Sequence, residues 1–245
     1  MKVALLGATK GMGRAVARLS AERGDEICLL GRNLEDLHRS AADLRARGAQ
    51  RVVPGVECDL ERVETFVPAI AAAREALGGI DIVFVTAGVF ATQDALEADP
   101  TLAERLLRLN FSNTVMFCEA AKSSLLDEGG GTLCVFSSVA GERGRKPVVI
   151  YGAAKAGLSR YLEGLDHKHH ADGLHVITVK PGFVKTSMTA GLSPPPFAGE
   201  PDAVAKRVMA AVDRGTPVVY APSPWRWIMA VIRALPRFIM RRINF

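Results

Sequence analysis

The chain has 245 residues, 49% of them hydrophobic and 23% charged, and a formal net charge of +5. This length and apolar content suit one α/β domain with a sizeable core and require no second domain. No run approaches the ~20 apolar residues that span a bilayer, and a strand-like run beginning at residue 3 leaves no room for a signal peptide. The four cysteines show no paired spacing, which completes the prediction of a cytosolic protein.

A glycine-rich turn follows the first predicted strand. The apolar run Val3–Leu6 leads into Gly7-Ala-Thr-Lys-Gly11-Met-Gly13, and a helical pattern starts at Arg14. Glycines permit close approach of the backbone, while the amino end of the following helix offers free N–H groups and a positive dipole to a pyrophosphate. This context predicts a dinucleotide site rather than a glycine turn without a ligand.

The end of the second strand-like run predicts which dinucleotide binds. Where an NAD-binding protein places an acid for the adenosine ribose 2′-hydroxyl, this chain has Arg32. Arginine pairs bidentately with a phosphate, and Lys10 in the glycine turn adds a second cation on the same side. We therefore predict NADP(H) as the cofactor; the alternative is that both residues are ordinary surface charges.

Three polar residues have the spacing of a proton-transfer site. Tyr151 and Lys155 lie four residues apart in the helical run 149–165, so they project from one face. An ammonium near a phenol favours the phenolate and lowers the pKa of tyrosine from its usual ~10. Ser138 follows the apolar run 131–137 at the carboxyl end of a predicted strand, where open α/β sheets bind ligands. Taken alone, Tyr-x-x-x-Lys is also what an ordinary helix surface produces.

Strand-like and helical segments alternate along the chain. The strand-like runs lie at residues 3–6, 26–30, 51–57, 80–86, 131–137, 174–180 and 217–221. This alternation predicts an α/β fold over residues 1–222, a Rossmann-type doubly wound parallel sheet of about seven strands with helices on both faces. The Pro-rich piece Leu192–Gly199 interrupts the pattern and is either a mobile loop over the substrate or a plain connector.

Several motifs together resemble the short-chain dehydrogenase/reductase family over nearly the whole chain. They are the glycine turn, Asn110, Ser138, Tyr151-x-x-x-Lys155 and Pro181-Gly182, in order and at the family's spacing. The resemblance implies that Tyr151 is the general acid in reduction and that Ser138 orients the substrate carbonyl. It implies that Lys155 binds the nicotinamide ribose and that Asn110 anchors a water-linked proton relay through Lys155. It also implies a homodimer or homotetramer.

The same resemblance implies the cofactor contacts, with Asp59 at the adenine and Thr186 at the nicotinamide amide. The expected cofactor-binding residues are Gly7, Thr9, Lys10, Gly11, Met12, Gly13, Arg32, Asp59, Leu60, Ala87, Gly88, Tyr151, Lys155, Pro181, Gly182, Val184 and Thr186. The chain departs from the family in one place: Val85-Thr86-Ala87-Gly88 replaces Asn-Asn-Ala-Gly after the fourth strand.

The last residues form a basic, amphipathic tail. Residues 223–245 hold five arginines and no acid, and Pro236 is expected to kink or split their helix. Such a tail suits an anionic membrane surface, and it equally suits a helix that docks on the domain or on another subunit. Nucleic acid is not expected, because no recognisable binding module accompanies the arginines. No metal is expected either, because the histidines at 167, 169 and 170 lack a carboxylate or cysteine frame.

Three segments carry a narrower resemblance, to the decaprenylphosphoryl 2-keto-erythro-pentose reductases. They are the loop Ser137–Arg145, the following Val149-Ile-Tyr151-Gly, and the tail from Tyr220 to Arg242. Those enzymes reduce a lipid-phosphate-linked keto sugar with a nicotinamide cofactor. The resemblance implies that Arg143, Arg145 and Lys146 meet a phosphate, whereas a merely solvated basic loop needs no partner.

We therefore predict an NADP(H)-dependent enzyme that interconverts a ketone and a secondary alcohol. Its substrate is a small-molecule or lipid-linked carbonyl compound, and the tail adds the hypothesis of peripheral membrane association. One alternative is a soluble 3-ketoacyl or hydroxysteroid reductase of the same family. Another, from a different class, is a protein that senses NADPH without turnover, against which the presence of both Ser138 and Tyr151 argues.

Overall fold

In the computed structural model of the protein, residues 1–243 are described, and their seven strands form one parallel sheet. The strands are β1 (Lys2–Leu6), β2 (Glu26–Gly31), β3 (Arg51–Glu57), β4 (Ile82–Val85), β5 (Gly131–Phe136), β6 (Leu174–Pro181) and β7 (Val218–Ala221). Their order across the sheet is β3-β2-β1-β4-β5-β6-β7. The predicted Rossmann-type sheet is confirmed.

Helices cover both faces of this sheet. They are α1 (Gly11–Glu22), α2 (Leu34–Ala46), α3 (Phe66–Leu77), α4 (Gln93–Ala98), α5 (Pro100–Leu107), α6 (Asn113–Asp127), α7 (Val149–His169), α8 (Pro201–Arg214), α9 (Pro224–Ala234) and α10 (Arg237–Met240). Helices α1, α2 and α8 pack on one face, and α3, α6 and α7 on the other.

The strands are apolar on both sides because both sides are covered. In β1, Val3 and Leu5 point into the core beneath α1 and α8, whereas Ala4 and Leu6 point into the core beneath α3 and α6. Successive side chains of a strand alternate between faces, so a continuous apolar run is what a central parallel strand needs. The strand order reverses between β1 and β4, and that reversal opens a crevice at their carboxyl ends.

Up to residue 243, the tail packs on the domain along the inner face of its first helix. Pro236 separates α9 from α10, as predicted. The inner face of α9, formed by Trp225, Met229 and Ile232, is buried against Val139. Asn244 and Phe245, the end of the predicted tail, lie outside the described residues. Between residues 1 and 243, no helix has the length and apolar character needed to cross a bilayer.

Candidate active site

The glycine turn joins β1 to α1 beside the end of β4. Gly7 and Gly11 have φ angles of +94° and +52°, in the left-handed region that favours glycine. Gly13 is required for lack of space, because a Cβ at this position would lie 2.3 Å from the Gly7 carbonyl oxygen. No side chain caps the amino end of α1. Its first N–H groups are therefore left as donors of the kind that the predicted pyrophosphate cradle needs.

Thr86 fastens this turn to the neighbouring strand. Its Oγ1 lies 3.0 Å from the carbonyl oxygens of both Leu6 and Gly7, so its single proton is shared between them. Although the chain lacks the Asn-Asn-Ala-Gly motif, Thr86 thus still supplies a side-chain donor at the end of β4. The sequence alone did not reveal which backbone groups this donor binds.

A cleft of about 320 Å³ opens at the crevice between β1 and β4. Eight of the predicted cofactor residues line it: Gly7, Thr9, Lys10, Arg32, Asp59, Leu60, Ala87 and Gly88. Ser187 and Met188 line it as well, although the sequence did not single them out. They follow Thr186, whose hydroxyl accepts a hydrogen bond from the Met188 N–H at 3.2 Å.

The other residues predicted to bind the cofactor are not among those that line this cleft. Gly11, Met12 and Gly13 form the first turn of α1, and Met12 packs on the core. Pro181 ends β6, and Gly182 lies against the Trp225 ring. Val184 is buried and pairs with Gly199, so its side chain belongs to the core.

Asn110 and Lys155 are buried and converge on Gly88. The Asn110 amide exchanges hydrogen bonds with the backbone of Val89, accepting at 3.0 Å and donating at 2.7 Å. A Cβ on Gly88 would lie 2.7 Å from Asn110 Oδ1 and 3.9 Å from Lys155 Nζ. Asn110 itself sits in a π-helical turn between α5 and α6, an irregularity common at functional sites.

Ser138 and Tyr151 meet at the carboxyl end of β5. The Ser138 Oγ accepts a hydrogen bond from the Ala140 N–H at 3.1 Å. The Tyr151 ring lies perpendicular to the Phe90 ring, with centroids 5.2 Å apart. Lys155 Nζ lies 5.9 Å from the Tyr151 ring centroid.

Burial controls the proton affinities of this site. It raises the pKa of Tyr151 to about 12, although hydrogen bonding by the Ser138 hydroxyl acts in the opposite direction. Burial lowers the pKa of Lys155 to about 8. The expected lowering of the tyrosine pKa by the ammonium is therefore wrong for this structure. Lys155 Nζ instead donates to the Phe136 carbonyl oxygen at 3.0 Å, and desolvation of the phenol dominates.

The histidines near the end of α7 pair with neighbouring carboxylates. His169 Nδ1 lies 2.9 Å from Asp172 Oδ2, and His170 Nδ1 lies 3.7 Å from Asp166 Oδ1. Over residues 1–243, no group of three histidine, cysteine or acidic side chains is arranged to hold a metal ion.

Sequence comparison places the chain in a family. The profile of the short chain dehydrogenases matches residues 2–196. The chain belongs to the short-chain dehydrogenase family. It is 33% identical over 241 residues to an uncharacterised oxidoreductase of Mycobacterium tuberculosis, covering 98% of this chain and 96% of the relative. A second uncharacterised oxidoreductase, from Streptomyces coelicolor, is 33% identical over 250 residues, covering 98% and 94%.

Solved structures share the fold of this short-chain dehydrogenase. A short chain dehydrogenase from Burkholderia cenocepacia, in complex with NADP, superposes with a TM-score of 0.83 at 25% identity, covering 99% of this chain and 97% of that one. An actinorhodin polyketide ketoreductase with NADPH superposes with a TM-score of 0.80 at 22% identity, covering 90% and 95%. As a family member, the protein is an oxidoreductase of the class that uses a nicotinamide cofactor.

Proposed function

We propose that the protein is an NADP(H)-dependent oxidoreductase that interconverts a ketone and a secondary alcohol. The observation that carries the proposal is the half-buried Tyr151 beside Ser138, packed on Phe90, which directly follows residues that line a cleft suited to a dinucleotide. A bound nicotinamide supplies or accepts the hydride. In reduction, Tyr151 donates its phenolic proton to the carbonyl oxygen, and Ser138 donates a hydrogen bond to the same oxygen as negative charge develops there.

The raised pKa of Tyr151 is compatible with a role as the proton donor in reduction. With a pKa of about 12, the phenol keeps its proton at neutral pH, as a general acid must. Lys155, with a pKa of about 8, is still mostly an ammonium at neutral pH and can return a proton to the tyrosine. Asn110, which lies next to Lys155 around Gly88, anchors the water that completes this relay.

Replacing the phenol tests the proposal. Tyr151→Phe is expected to lower NADPH-linked turnover of an accepted ketone by roughly 10²–10⁴-fold, because general acid catalysis is lost, with NADPH binding retained. Tyr161→Phe is the matched control, since Tyr161 lies on the same helix and its hydroxyl donates to Glu119 at 2.6 Å. Near-full turnover by Tyr151→Phe would refute the mechanism. If the wild-type protein binds NADPH but reduces no ketone, the NADPH-sensing alternative takes its place.

The choice of NADP(H) rests on Arg32 and Lys10, which both line the cleft. Their cations suit the 2′-phosphate, and the Burkholderia cenocepacia structure contains NADP. Asp59 and Thr186 complete the proposed site at the adenine and the nicotinamide amide. Arg32→Ala is expected to weaken NADPH binding roughly 10–100-fold through loss of charge-assisted hydrogen bonds, with little effect on NADH. Equal losses for both cofactors would contradict this assignment.

The substrate is proposed to be amphipathic, with a lipid-phosphate-linked keto sugar as the leading candidate. A hollow of about 330 Å³ beside Gly88 has an apolar lining, formed by Val89, Phe90, Ala91, Leu102, Leu106 and Met188. Arg105, which forms an ion pair with Glu61, also lines this hollow. Arg143, which the narrower resemblance places at a phosphate, donates in this structure to the Leu235 carbonyl oxygen at 2.9 Å. A screen of keto sugar lipids, ketoacyl thioesters and steroids decides between this substrate and the 3-ketoacyl or hydroxysteroid alternatives.

We further propose that the outer face of the tail contacts anionic membranes. Trp227, Val231 and Phe238 are 71%, 64% and 59% exposed. Five arginines lie near them in the sequence, and residues 223–243 contain no acid. Apolar side chains flanked by cations suit the interface of an anionic bilayer. The predicted homodimer or homotetramer offers the competing use of this face.

Vesicle co-sedimentation of the full chain tests the membrane contact. Wild-type protein is expected to sediment with phosphatidylglycerol vesicles and not with phosphatidylcholine vesicles. The double variant Val231→Asp, Phe238→Asp is expected to stay in solution, because buried aspartates oppose insertion. Equal sedimentation of both forms, or of neither, would remove the membrane proposal, and a change in oligomeric state in the double variant would indicate a subunit interface.

A further inference from the structure

The turn that follows Ser138 rests on the C-terminal helix α9. Ser138 opens a 3-10 turn over Val139–Glu142, and the Ala140 N–H of this turn donates to the Ser138 Oγ. Val139 is buried against the inner face of α9. The direction of the Ser138 hydroxyl therefore depends on a turn whose first residue is held by the tail.

Glu142 ends the same turn and binds three separate elements. Its side chain is only 5% exposed, and its carboxylate pairs with Lys180 of β6. Arg233 of α9 approaches it to 3.0 Å, and the Tyr220 hydroxyl of β7 donates to it at 3.1 Å. Removing one member of a buried ion pair leaves the other charge desolvated and uncompensated. The turn thus keeps its place only while this charge network is intact.

Trp225 makes a second connection, through the end of β6. A Cβ on Gly182 would lie 2.1 Å from the Trp225 Nε1, so the indole occupies the space beside this glycine. The indole N–H donates to the Phe197 carbonyl oxygen at 3.3 Å. The residue before Gly182 is Pro181, and its carbonyl oxygen lies 3.5 Å from the Ser138 Oγ. Trp225 therefore supports the backbone on which the serine hydroxyl rests.

We propose that Glu142 and Trp225 are positioning residues that hold the Ser138 hydroxyl at the substrate carbonyl. The inner face of α9 is then part of the active site, and turnover depends on it even with a water-soluble ketone and no membrane. This inference rests on the role given to Ser138 in the proposed function. A displacement of the hydroxyl by about 1 Å is enough to cost up to ~10²-fold in rate.

A double-mutant cycle separates positioning from general loss of structure. Glu142→Gln and Trp225→Phe are each made in the wild type and in Ser138→Ala, with kcat, KM for the ketone and the NADPH dissociation constant measured for every form. Glu163→Gln is the matched control, because Glu163 is half exposed on α7 and pairs with the exposed Arg160.

In the wild-type background, Glu142→Gln and Trp225→Phe are expected to lower kcat by roughly 10–100-fold while the NADPH dissociation constant changes less than about twofold. In Ser138→Ala they are expected to have almost no further effect, because the hydroxyl that they position is absent. Glu163→Gln is expected to behave like its background in both series.

Two results would overturn the inference: wild-type kcat in both variants, or the same fold loss in Ser138→Ala as in the wild type. Trp225→Phe keeps an aromatic ring in place, so the cycle stays readable with this variant if Glu142→Gln does not fold. Failure of the proposed function has a different signature, because Tyr151→Phe or Ser138→Ala would then retain full turnover.

Discussion

Gly13→Ala probes the contact on which the dinucleotide cradle depends. The added methyl would lie 2.3 Å from the Gly7 carbonyl oxygen and 2.3 Å from Thr86 Oγ1. Both distances are about 1 Å shorter than a normal van der Waals contact. Overpacking of this kind costs about 1–3 kcal/mol, and displacing Thr86 loses a hydrogen bond worth about 1 kcal/mol. The better helix propensity of alanine returns up to about 1 kcal/mol, which leaves a net loss of about 1–3 kcal/mol.

Thermal melting and NADPH titration measure this effect. For a domain of this size, the expected loss corresponds to a fall in Tm of roughly 2–12 °C. The dissociation constant for NADPH is expected to rise at least ~10-fold, because the amides at the start of α1 move. Gly164→Ala is the matched control: it lies within α7, nothing lies within 4 Å of its added Cβ, and it is expected to stabilise by about 0.5–1 kcal/mol. Equal melting of the two variants with unchanged NADPH affinity would refute the reasoning.

Three further predictions concern Thr86, two buried cysteines and Lys155. Thr86→Val is expected to destabilise by about 1–2 kcal/mol in chemical denaturation, with Thr86→Ser close to wild type, because the hydroxyl shared by two carbonyl oxygens is lost. Burial raises the pKa of Cys28 and of Cys58 from 9.0 to about 12, so the unfolded thiols ionise first and stability falls between pH 9 and 12. Cys28→Ala is expected to reduce this slope by about 1.4 kcal/mol per pH unit; an unchanged slope would contradict the assignment. The pKa of Lys155 is lowered from 10.5 to about 8, so the unfolded chain holds the extra proton between these values. As the pH rises through that interval, the free energy of unfolding of the wild type should therefore increase by up to about 3 kcal/mol relative to that of Lys155→Met. If the unfolding free energies of the two proteins change in parallel with pH, the lowered pKa of Lys155 is excluded.

The fold was predictable because its signals are local. The apolar runs of the strands, the glycine turn and the i,i+4 spacing of Tyr151 and Lys155 each depend on neighbours within a few residues. The same applies to the division of the tail at Pro236. Helix periodicity also indicated that α9 has an apolar side, but periodicity carries no information on what that side contacts.

The environment of the proposed catalytic groups was not predictable in this way. An ammonium four residues from a phenol suggested a lowered tyrosine pKa, yet burial raises it to about 12 and Lys155 turns to the Phe136 carbonyl oxygen. Desolvation depends on everything packed around the phenol, including the Phe90 ring from a different loop.

By itself, the sequence determined the sheet, the glycine turn and the family, since each is set by short-range pattern. Only the tertiary structure decided that the Glu142 side chain is buried among Lys180, Tyr220 and Arg233. Those partners come from three elements that meet only when β6, β7 and α9 pack together. Burial and long-range pairing are properties of the packed chain, so the tie between the tail and the turn after Ser138 became visible only in the fold.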